Sequence, residues 1–365
     1  MASYRLGYCI TAHGFGHAAR AVAVMEALSK RISVKHKVVS LVPEWFFSQF
    51  FSDSLSVFSV QTDVGLVQLS ALKEDLEASL VELQNFYPLA REKVDELATI
   101  FSDCDLVICD IAPSGIAAAK RAGVPSLLLE NFTWDWVYKG YLSRYPQLKT
   151  YIDYLNDLYS KADYHVQAEP VCNNSRCDVR VEPVAREIKK SVKTVRQQLG
   201  IQENRQLVLM TMGGEGAGTL PLDSLARLRD ILFVIAGTDP QKQGPENLYF
   251  LPTDSGIFHP DLVAACDAVI GKVGYSTLAE VYHADVPFGY ISRPTFPESA
   301  PLVSYIEHNM TGLEISAGDF REGKWLHQLP ELIAMKRQRI KRTNGADQCA
   351  EFILSVLRQR ETGKA

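Results

Sequence analysis

The chain lacks the positive charge and the long apolar runs that would define several common classes of protein. Its 38 Lys and Arg residues are outnumbered by 43 Asp and Glu residues, giving a net charge of -5. Binding to nucleic acid is disfavoured, because it needs a basic surface. No stretch approaches the roughly 20 consecutive apolar residues of a membrane span. We therefore expect a protein with no nucleic-acid partner and no membrane span.

The cysteines and the N-terminal residues both indicate a cytoplasmic protein. The seven cysteines are scattered and odd in number, so they do not form a disulfide framework. Cys172 and Cys177 lack a second pair of ligands, and we predict no metal site there. A signal peptide is not predicted either, because the charged Arg5 lies inside what would be its apolar segment.

Strand-like and helix-like segments alternate along the 365 residues, a pattern typical of parallel sheets with crossover helices. The segment 169–190 is polar and contains Pro170 and Pro183, which predicts a linker. Strands are predicted at 4–10, 37–41, 106–109, 126–129 and 165–166 before this linker and at 206–212, 231–236, 268–270 and 287–291 after it. Helices are predicted at 18–30, 72–100, 113–122, 134–159 and 345–360.

This alternation predicts an α/β fold of two doubly wound, Rossmann-like domains facing a central cleft. The length also suits two such domains better than one core. We expect an N-terminal domain at 1–184, a C-terminal domain at 185–345 and a last helix at 346–365 that packs back on the first domain. Ligands of such folds bind at the carboxyl ends of the strands.

A glycine-containing turn joins the first predicted strand to the first predicted helix. Gly14 and Gly16 permit tight turning and close backbone approach, and the helix N-terminus offers free N–H groups to a polar or anionic substrate. His13 and His17 add groups that exchange protons near neutral pH. The spacing does not match the dinucleotide fingerprint. We predict an active-site turn, with a helix-start residue that bonds a carbonyl as the alternative for His17.

A second turn of this kind predicts a phosphate site at 267–280. A short buried strand leads into Gly274, and Ser276 and Thr277 open a helix whose N-terminus suits an anion. Glu280 follows on the same helical face, where a carboxylate could accept ribose hydroxyls. The alternative is a plain glycine-rich turn with Ser276 as the N-cap.

Two further segments of the second half add to this prediction. Gly213 and Gly214 follow the strand at 206–212, and two such turns on one sheet can enclose a diphosphate. The pattern does not match a P-loop ATPase. Glu298 follows the strand at 287–291 and places a carboxylate at a strand's carboxyl end, with a solvated loop acid as the alternative.

Polar and aromatic residues also follow the middle strands of the first half. Asp110 ends one strand, and Asn131, Trp134 and Asp135 follow the next, an association that suits sugar binding. The alternative places the tryptophan in the core. The apolar segment 44–51 is either core or a patch for a hydrophobic acceptor or a membrane surface, near the basic run 30–37.

Four motifs give the chain a resemblance to a known family. The segments 13–20, 109–113, 131–135 and 271–277 resemble the glycosyltransferase-like N-terminal region of plant L-arabinokinases and its stand-alone bacterial relatives. The resemblance extends from Tyr4 to about Lys324, with Ser276 standing where the pattern usually has glycine. The sugar-kinase domain of the plant proteins has no counterpart here, so kinase activity is not implied. The element order is also similar to GT-B glycosyltransferases, distantly the peptidoglycan N-acetylglucosaminyltransferase.

The resemblance implies a GT-B fold with the nucleotide-sugar donor in the C-terminal domain. Its implied donor-site residues are Gly213, Gly214, Lys272, Gly274, Ser276 and Thr277 at the diphosphate, Glu280 at the ribose, Phe258 near the base, Glu298 at the donor sugar and Arg186 near the donor cleft. Its implied acceptor-side residues are His13, Gly14, Gly16, Asp110, Asn131, Trp134 and Asp135. GT-B enzymes generally need no metal and no cofactor, because helix dipoles and basic side chains stabilise the leaving group.

The expected function is transfer of a sugar from a nucleotide-diphosphate sugar, with uridine as the expected base, to an acceptor hydroxyl. The resemblance implies a metal-independent, inverting reaction with His17 as general base. The acceptor is a small molecule, a glycan or a lipid-linked molecule, the last compatible with peripheral membrane contact. Two alternatives remain: a nucleotide-sugar hydrolase, since the turn at 14–17 is also similar to the hydrolase of pseudaminic acid synthesis, and a non-catalytic nucleotide-sugar-binding protein.

Overall fold

The computed structural model describes residues 3–51, 54–70, 72–201, 205–212, 220–238, 244–252, 254–338 and 340–363. Its strands are β1 (Ser3–Ile10), β2 (Ser33–Val39), β3 (Leu55–Phe58), β4 (Val67–Ser70), β5 (Lys73–Asp75), β6 (Leu106–Asp110), β7 (Ser126–Glu130), β8 (Tyr164–Ala168), β9 (Val179–Val181), β10 (Gln206–Thr211), β11 (Ile231–Ala236), β12 (Leu248–Leu251), β13 (Ala268–Lys272), β14 (Phe288–Ile291) and β15 (Gly312–Glu314).

Helices connect these strands. They are α1 (Gly16–Ser29), α2 (Glu44–Ser48), α3 (Leu76–Phe86), α4 (Arg91–Phe101), α5 (Pro113–Ala122), α6 (Trp134–Lys139), α7 (Leu148–Tyr159), α8 (Val192–Gln198), α9 (Leu222–Ala226), α10 (His259–Ala265), α11 (Tyr275–Ala284), α12 (Ser299–Asn309), α13 (Ala317–Glu322), a 3₁₀ turn (Lys324–Gln328), α14 (Leu329–Ala334) and α15 (Gly345–Gly363). None of the helices among the described residues has the length and apolar character needed to cross a bilayer.

Two parallel sheets organise the described residues. The first has the order β3-β2-β1-β6-β7-β8-β9 and the second the order β12-β11-β10-β13-β14-β15, while β4 and β5 form a small antiparallel pair. Every residue of β6 and β7 is buried, as expected for central parallel strands with helices on both faces. The predicted pair of Rossmann-like domains is therefore confirmed.

Alternate residues of the central strands serve two separate core layers. Leu6, Tyr8 and Ile10 of β1 pack on the face that carries α1 and α15, whereas Cys9 packs on the opposite face with Phe101 of α4. This alternation follows from the two-residue period of a strand. The first sheet is thus covered on both sides, and its carboxyl ends stay available for a site.

The chain leaves the first sheet after β9 and returns to it as α15. Ile353 and Leu357 of α15 are buried in the same cluster as Val22 of α1. The two crossing segments bind each other, since Asn344 Nδ2 donates to the Ala185 carbonyl at 2.7 Å and the Ala185 amide donates back to Asn344 Oδ1 at 3.2 Å. The N-terminal lobe is therefore built from both ends of the chain.

Several predicted element boundaries were wrong. The predicted helix 72–100 consists of β5, α3 and α4, because Pro88 cannot donate the hydrogen bond that a continuing helix needs. The predicted helix 134–159 is divided into α6 and α7 by a segment that contains Gly140 and Pro146. The predicted linker 169–190 contains β9, a short polar edge strand. Sequence analysis also missed β3, β4, β12 and β15, which are only three or four residues long.

The return of α15 can be tested by a cavity-forming substitution. Ile353→Ala should lower the free energy of unfolding by about 2–5 kcal/mol, because Ile353 is 1% exposed and its loss leaves a void in the core. Urea unfolding measures this difference. Ser355→Ala, on the exposed face of the same helix, is the matched control and should change stability by no more than about 0.5 kcal/mol. Equal effects of the two substitutions would contradict the packing of α15.

Candidate active site

A cavity of about 980 Å³ lies between the two sheets, at the carboxyl ends of β1, β13 and β14. It brings together residues from both domains that the sequence predicted separately. Those on its wall are His13, Gly14, Gly16, His17, Arg186, Phe258, Lys272, Gly274, Ser276, Thr277, Glu280 and Glu298. Gly213 and Gly214 lie outside the described residues.

The turn after β1 meets the N-terminus of α11 on the wall of this cavity. Gly14 has a φ of +77°, a left-handed conformation that favours glycine. A Cβ on Gly16 would lie 3.0 Å from Ser276 Oγ, and the Ser276 hydroxyl donates to the Gly16 carbonyl at 2.6 Å. The small size of Gly16 therefore permits direct contact between the two domains.

His17 is held from behind by a buried carboxylate. Its Nδ1 lies 2.9 Å from Asp110 Oδ1, and Arg20 binds both oxygens of Asp110 at 2.6 and 2.8 Å. Burial by itself would raise the pKa of Asp110, but the charge of Arg20 and the hydrogen bonds from Arg20 and His17 hold that pKa below its ordinary value. Asp110 thus stays ionised and fixes the orientation of the imidazole.

The same arginine connects His17 to the second domain. Arg20 Nη1 donates to Asn131 Oδ1 at 2.7 Å, and Asn131 Nδ2 donates to Glu298 Oε1 at 2.9 Å. Both Asn131 and Glu298 are buried, so these bonds are shielded from water. A continuous polar network therefore runs from α1 to the start of α12.

The backbone beside Asp110 is strained. Ile111 has a φ of +59°, which is unfavourable for a β-branched residue. The conformation is fixed by the Tyr159 hydroxyl, which donates to the Ile111 carbonyl at 2.7 Å, and by the Ile111 amide, which donates to the Leu129 carbonyl. Such strain persists where the surrounding structure determines it, often at functional sites.

His13 lies on the same cavity wall but is chemically different from His17. Burial lowers the pKa of His13 to about 3, and the nearby charges of His17, Arg293 and Lys272 act in the same direction. Its ring packs edge-on against Trp134, with 5.4 Å between the ring centroids. His13 is therefore neutral near pH 7 and packs as an aromatic side chain.

The opposite wall has the features of an anion site. Gly274 is the N-cap of α11, and Ser276 and Thr277 lie in its first turn. A Cβ on Gly274 would meet no atom of the described residues within 4 Å. Lys272 at the end of β13 also lines the cavity. The N-terminus of α11, the Thr277 hydroxyl and Lys272 thus all line the cavity, and groups of these kinds bind anions.

Glu280 is already bound on both of its oxygens. Arg186 Nη2 donates to Oε1 at 2.8 Å, and His259 Nδ1 lies 2.6 Å from Oε2. Although burial would raise the pKa of Glu280, the charges and hydrogen bonds of Arg186 and His259 lower it to about 2. Its placement at the cavity agrees with the expectation from the sequence, while these two partners were not predicted.

Asp110, Asn131, Trp134 and Asp135, which were predicted to face the acceptor, do not line the described cavity. Trp134 is fully buried, and its Nε1 donates to Asp63 Oδ2 at 2.9 Å. Asp135 is bound by Lys139 one helical turn later, at 2.8 Å. The alternative of a core position for Trp134 is therefore the one that the structure shows, because its ring is fully buried against Phe132 and Tyr138.

Several site residues were missed by sequence analysis. Phe132 and Arg293 line the cavity, and Arg20 and Asp63 lie behind it. The three-residue spacing of His17 and Arg20 on one helical face was the signal that could have revealed Arg20. The segment 44–51 contributes to the core and to the cavity: Phe47 is buried in the core, while Trp45 and Phe46 line the cavity. Within the described ranges, no three His, Cys, Asp or Glu side chains converge as a metal ion requires.

Solved glycosyltransferases share this fold over nearly the whole chain. A UDP-glucosyltransferase from Polygonum tinctorium has a TM-score of 0.64 at 13% identity, covering 98% of this chain and 99% of that one. The spinosyn forosaminyltransferase SpnP has a TM-score of 0.60 at 16% identity, with coverages of 97% and 95%. MurG of Acinetobacter baumannii has a TM-score of 0.56 at 15% identity, with coverages of 97% and 100%. The predicted GT-B fold is confirmed.

One sequence relative adds to this similarity of fold. L-arabinokinase of Arabidopsis thaliana is 30% identical over 338 residues, which are 90% of this chain and 32% of that protein. The chain therefore spans about a third of the length of this relative. The similarity to L-arabinokinases that the motifs predicted is confirmed. No protein-family model matches the chain.

The buried bonds of Glu280 predict a pH dependence of stability. A folded-state pKa of about 2, against an ordinary value of 4.5, means that the ionised carboxylate stabilises the fold above pH 4.5 and that this stabilisation is lost as the pH falls towards 2. Glu280→Gln should therefore cost roughly 3 kcal/mol at pH 7 and much less near pH 2.5. Urea unfolding at several pH values measures the cost at pH 7 and near pH 2.5.

The matched control for this measurement is Glu351→Gln, which changes a carboxylate on the exposed face of α15. It should alter stability little at any pH. A cost of Glu280→Gln that stays constant from pH 7 to 2.5 would contradict the ionised pair with Arg186 and His259.

Proposed function

We propose that the protein is a glycosyltransferase that moves a sugar from a nucleotide-diphosphate sugar to an acceptor hydroxyl. One observation carries the proposal: His17, backed by Asp110, shares a cavity with the N-terminus of α11 and Lys272. The first pair suits removal of a proton from a hydroxyl, and the second suits a departing diphosphate. The GT-B fold and the name of the UDP-glucosyltransferase neighbour support uridine as the base.

The proposed general base is His17. An ionised carboxylate only accepts hydrogen bonds, so Nδ1 carries a proton and donates it to Asp110 at 2.9 Å. The separation from Arg20 Nη2 is longer, at 3.2 Å. Nε2 is then the nitrogen that takes the acceptor proton, and the negative charge of Asp110 stabilises the imidazolium that forms.

The proposed chemistry is a single displacement. As the hydroxyl proton passes to His17, its oxygen forms a bond to the anomeric carbon, and the bond from that carbon to the diphosphate oxygen breaks. The electron pair of the broken bond leaves with the diphosphate. Because the hydroxyl attacks the face opposite the diphosphate, the anomeric configuration is inverted. We propose that α11, Ser276, Thr277 and Lys272 stabilise the leaving group without a metal ion.

The diphosphate site can be tested by filling the open space at the N-terminus of α11. Gly274 has an extended backbone, and a Cβ there meets none of the described residues within 4 Å, so Gly274→Asp should fold. Its carboxylate should repel a diphosphate. UDP at about 100 times its dissociation constant should stabilise the wild-type protein by roughly 2.7 kcal/mol in thermal unfolding and should leave Gly274→Asp almost unchanged.

Gly274→Asn is the matched control, because it has the same size and no charge. It should keep more of the UDP stabilisation than Gly274→Asp does. Identical behaviour of the two variants would show that the site does not distinguish charge and would contradict a diphosphate there. Absence of any stabilisation of the wild type by UDP, GDP or dTDP would contradict the proposed donor.

The proposed base predicts a specific loss of turnover. His17→Ala should lower the rate of UDP release from the active UDP-sugar by about 10²–10⁴-fold in the presence of hydroxyl acceptors, with UDP affinity nearly unchanged. His308→Ala, an exposed histidine of α12, is the control and should keep the full rate. Unchanged turnover in His17→Ala would remove His17 from the mechanism. Stoichiometric release of free sugar without any acceptor would replace the transferase with a hydrolase.

A further inference from the structure

Arg293 is a buried cation on the cavity wall that the proposed mechanism does not use. It follows β14 and is 6% exposed, and its Nε has no hydrogen-bond partner in the part of the chain that the structure describes. Among the described residues, no carboxylate forms an ion pair with its guanidinium. A buried charge without a partner is costly, and the cavity is where a partner can enter.

The guanidinium of Arg293 is held in place by its own loop. Its central carbon lies 4.0 Å from the centroid of the Phe296 ring, so the aromatic face supports the charged group. The Arg293 amide donates to Ser299 Oγ at 2.8 Å, and the Phe296 amide donates to the Arg293 carbonyl at 2.9 Å. The side chain therefore presents a fixed fork of N–H donors.

Contacts of Phe296 place this cation on the side of the cavity where the reaction is proposed to occur. Phe296 packs edge-on against Phe132 at 6.5 Å, and Phe132 packs edge-on against His17 at 6.1 Å. The proposed diphosphate site has Lys272 at the end of β13, the strand next to β14, and the N-terminus of α11, which follows β13. Arg293 thus adds positive charge towards His17, where the transferred sugar must lie.

We propose that Arg293 binds a carboxylate on the transferred sugar, so that the donor is a nucleotide-diphosphate uronate. The inference rests on the proposed function, because it needs the donor in this cavity. A guanidinium matches a carboxylate with two parallel hydrogen bonds, an arrangement that a neutral hexose cannot provide. Glu298, fixed by Asn131 at 2.9 Å, lies on the same wall and accepts hydrogen bonds from the hydroxyls of that sugar.

The test compares the affinities of UDP, UDP-glucose and UDP-glucuronate by titration calorimetry. Wild-type protein should bind UDP-glucuronate at least about 10-fold more tightly than UDP-glucose. Arg293→Gln should lower the affinity for UDP-glucuronate by about 10- to 100-fold and should change the affinities for UDP and UDP-glucose by less than about 3-fold. Arg293→Lys keeps the charge and should retain part of the preference. Arg321→Gln changes an exposed arginine of α13 and should alter none of the three.

The outcomes separate this inference from the proposed function. Equal affinity of the wild type for UDP-glucose and UDP-glucuronate would overturn the inference while UDP binding still supported the donor site. If Arg293→Gln lowered the affinity for all three ligands equally, with an unchanged urea unfolding curve, Arg293 would be assigned to the phosphates. That result would overturn the inference as well. Failure of the wild type to bind any of the three would instead contradict the proposed function itself.

Discussion

The ion pair between Arg20 and Asp110 is the interaction on which the rest of the site depends. Both side chains are almost completely buried, so each charge needs the other, and breaking such a pair typically costs about 3–5 kcal/mol. The pair fixes His17 on one side and Asn131 on the other. Because Asn131 binds Glu298, one buried arginine aligns groups from four separate segments of both domains.

The cavity is formed by two domains that contact each other around it. Ser276 binds the Gly16 carbonyl at its base, and Arg186 connects the linker to Glu280 while packing over Phe258. The return of α15 to the first sheet, with Asn344 bound to the first crossing segment, adds a second covalent connection. These contacts hold the proposed base and the proposed anion site around one cavity.

The elements that were predicted correctly have strong local signals. The buried strands β6, β10 and β13 contain continuous apolar runs, and the glycine turns that follow β1 and β13 are visible without any structure. The errors occurred where local signals are weak. Three-residue edge strands such as β9 gain their backbone hydrogen bonds from a neighbour that is distant in sequence. Trp134 looks like a ligand-binding aromatic until its burial beside Asp63 is known.

The sequence by itself determined the fold class and predicted twelve of the residues on the cavity wall, because strand–turn–helix patterns require only neighbours in the chain. It predicted functional roles for His17, Ser276 and Glu280 but not the residues that they contact. Tertiary structure decided which charges meet: Asp110 with Arg20, Glu280 with Arg186 and His259, and Arg293 with no carboxylate among the described residues. Such pairings join residues some 20 to 90 positions apart, and only the packing of whole elements sets these distances.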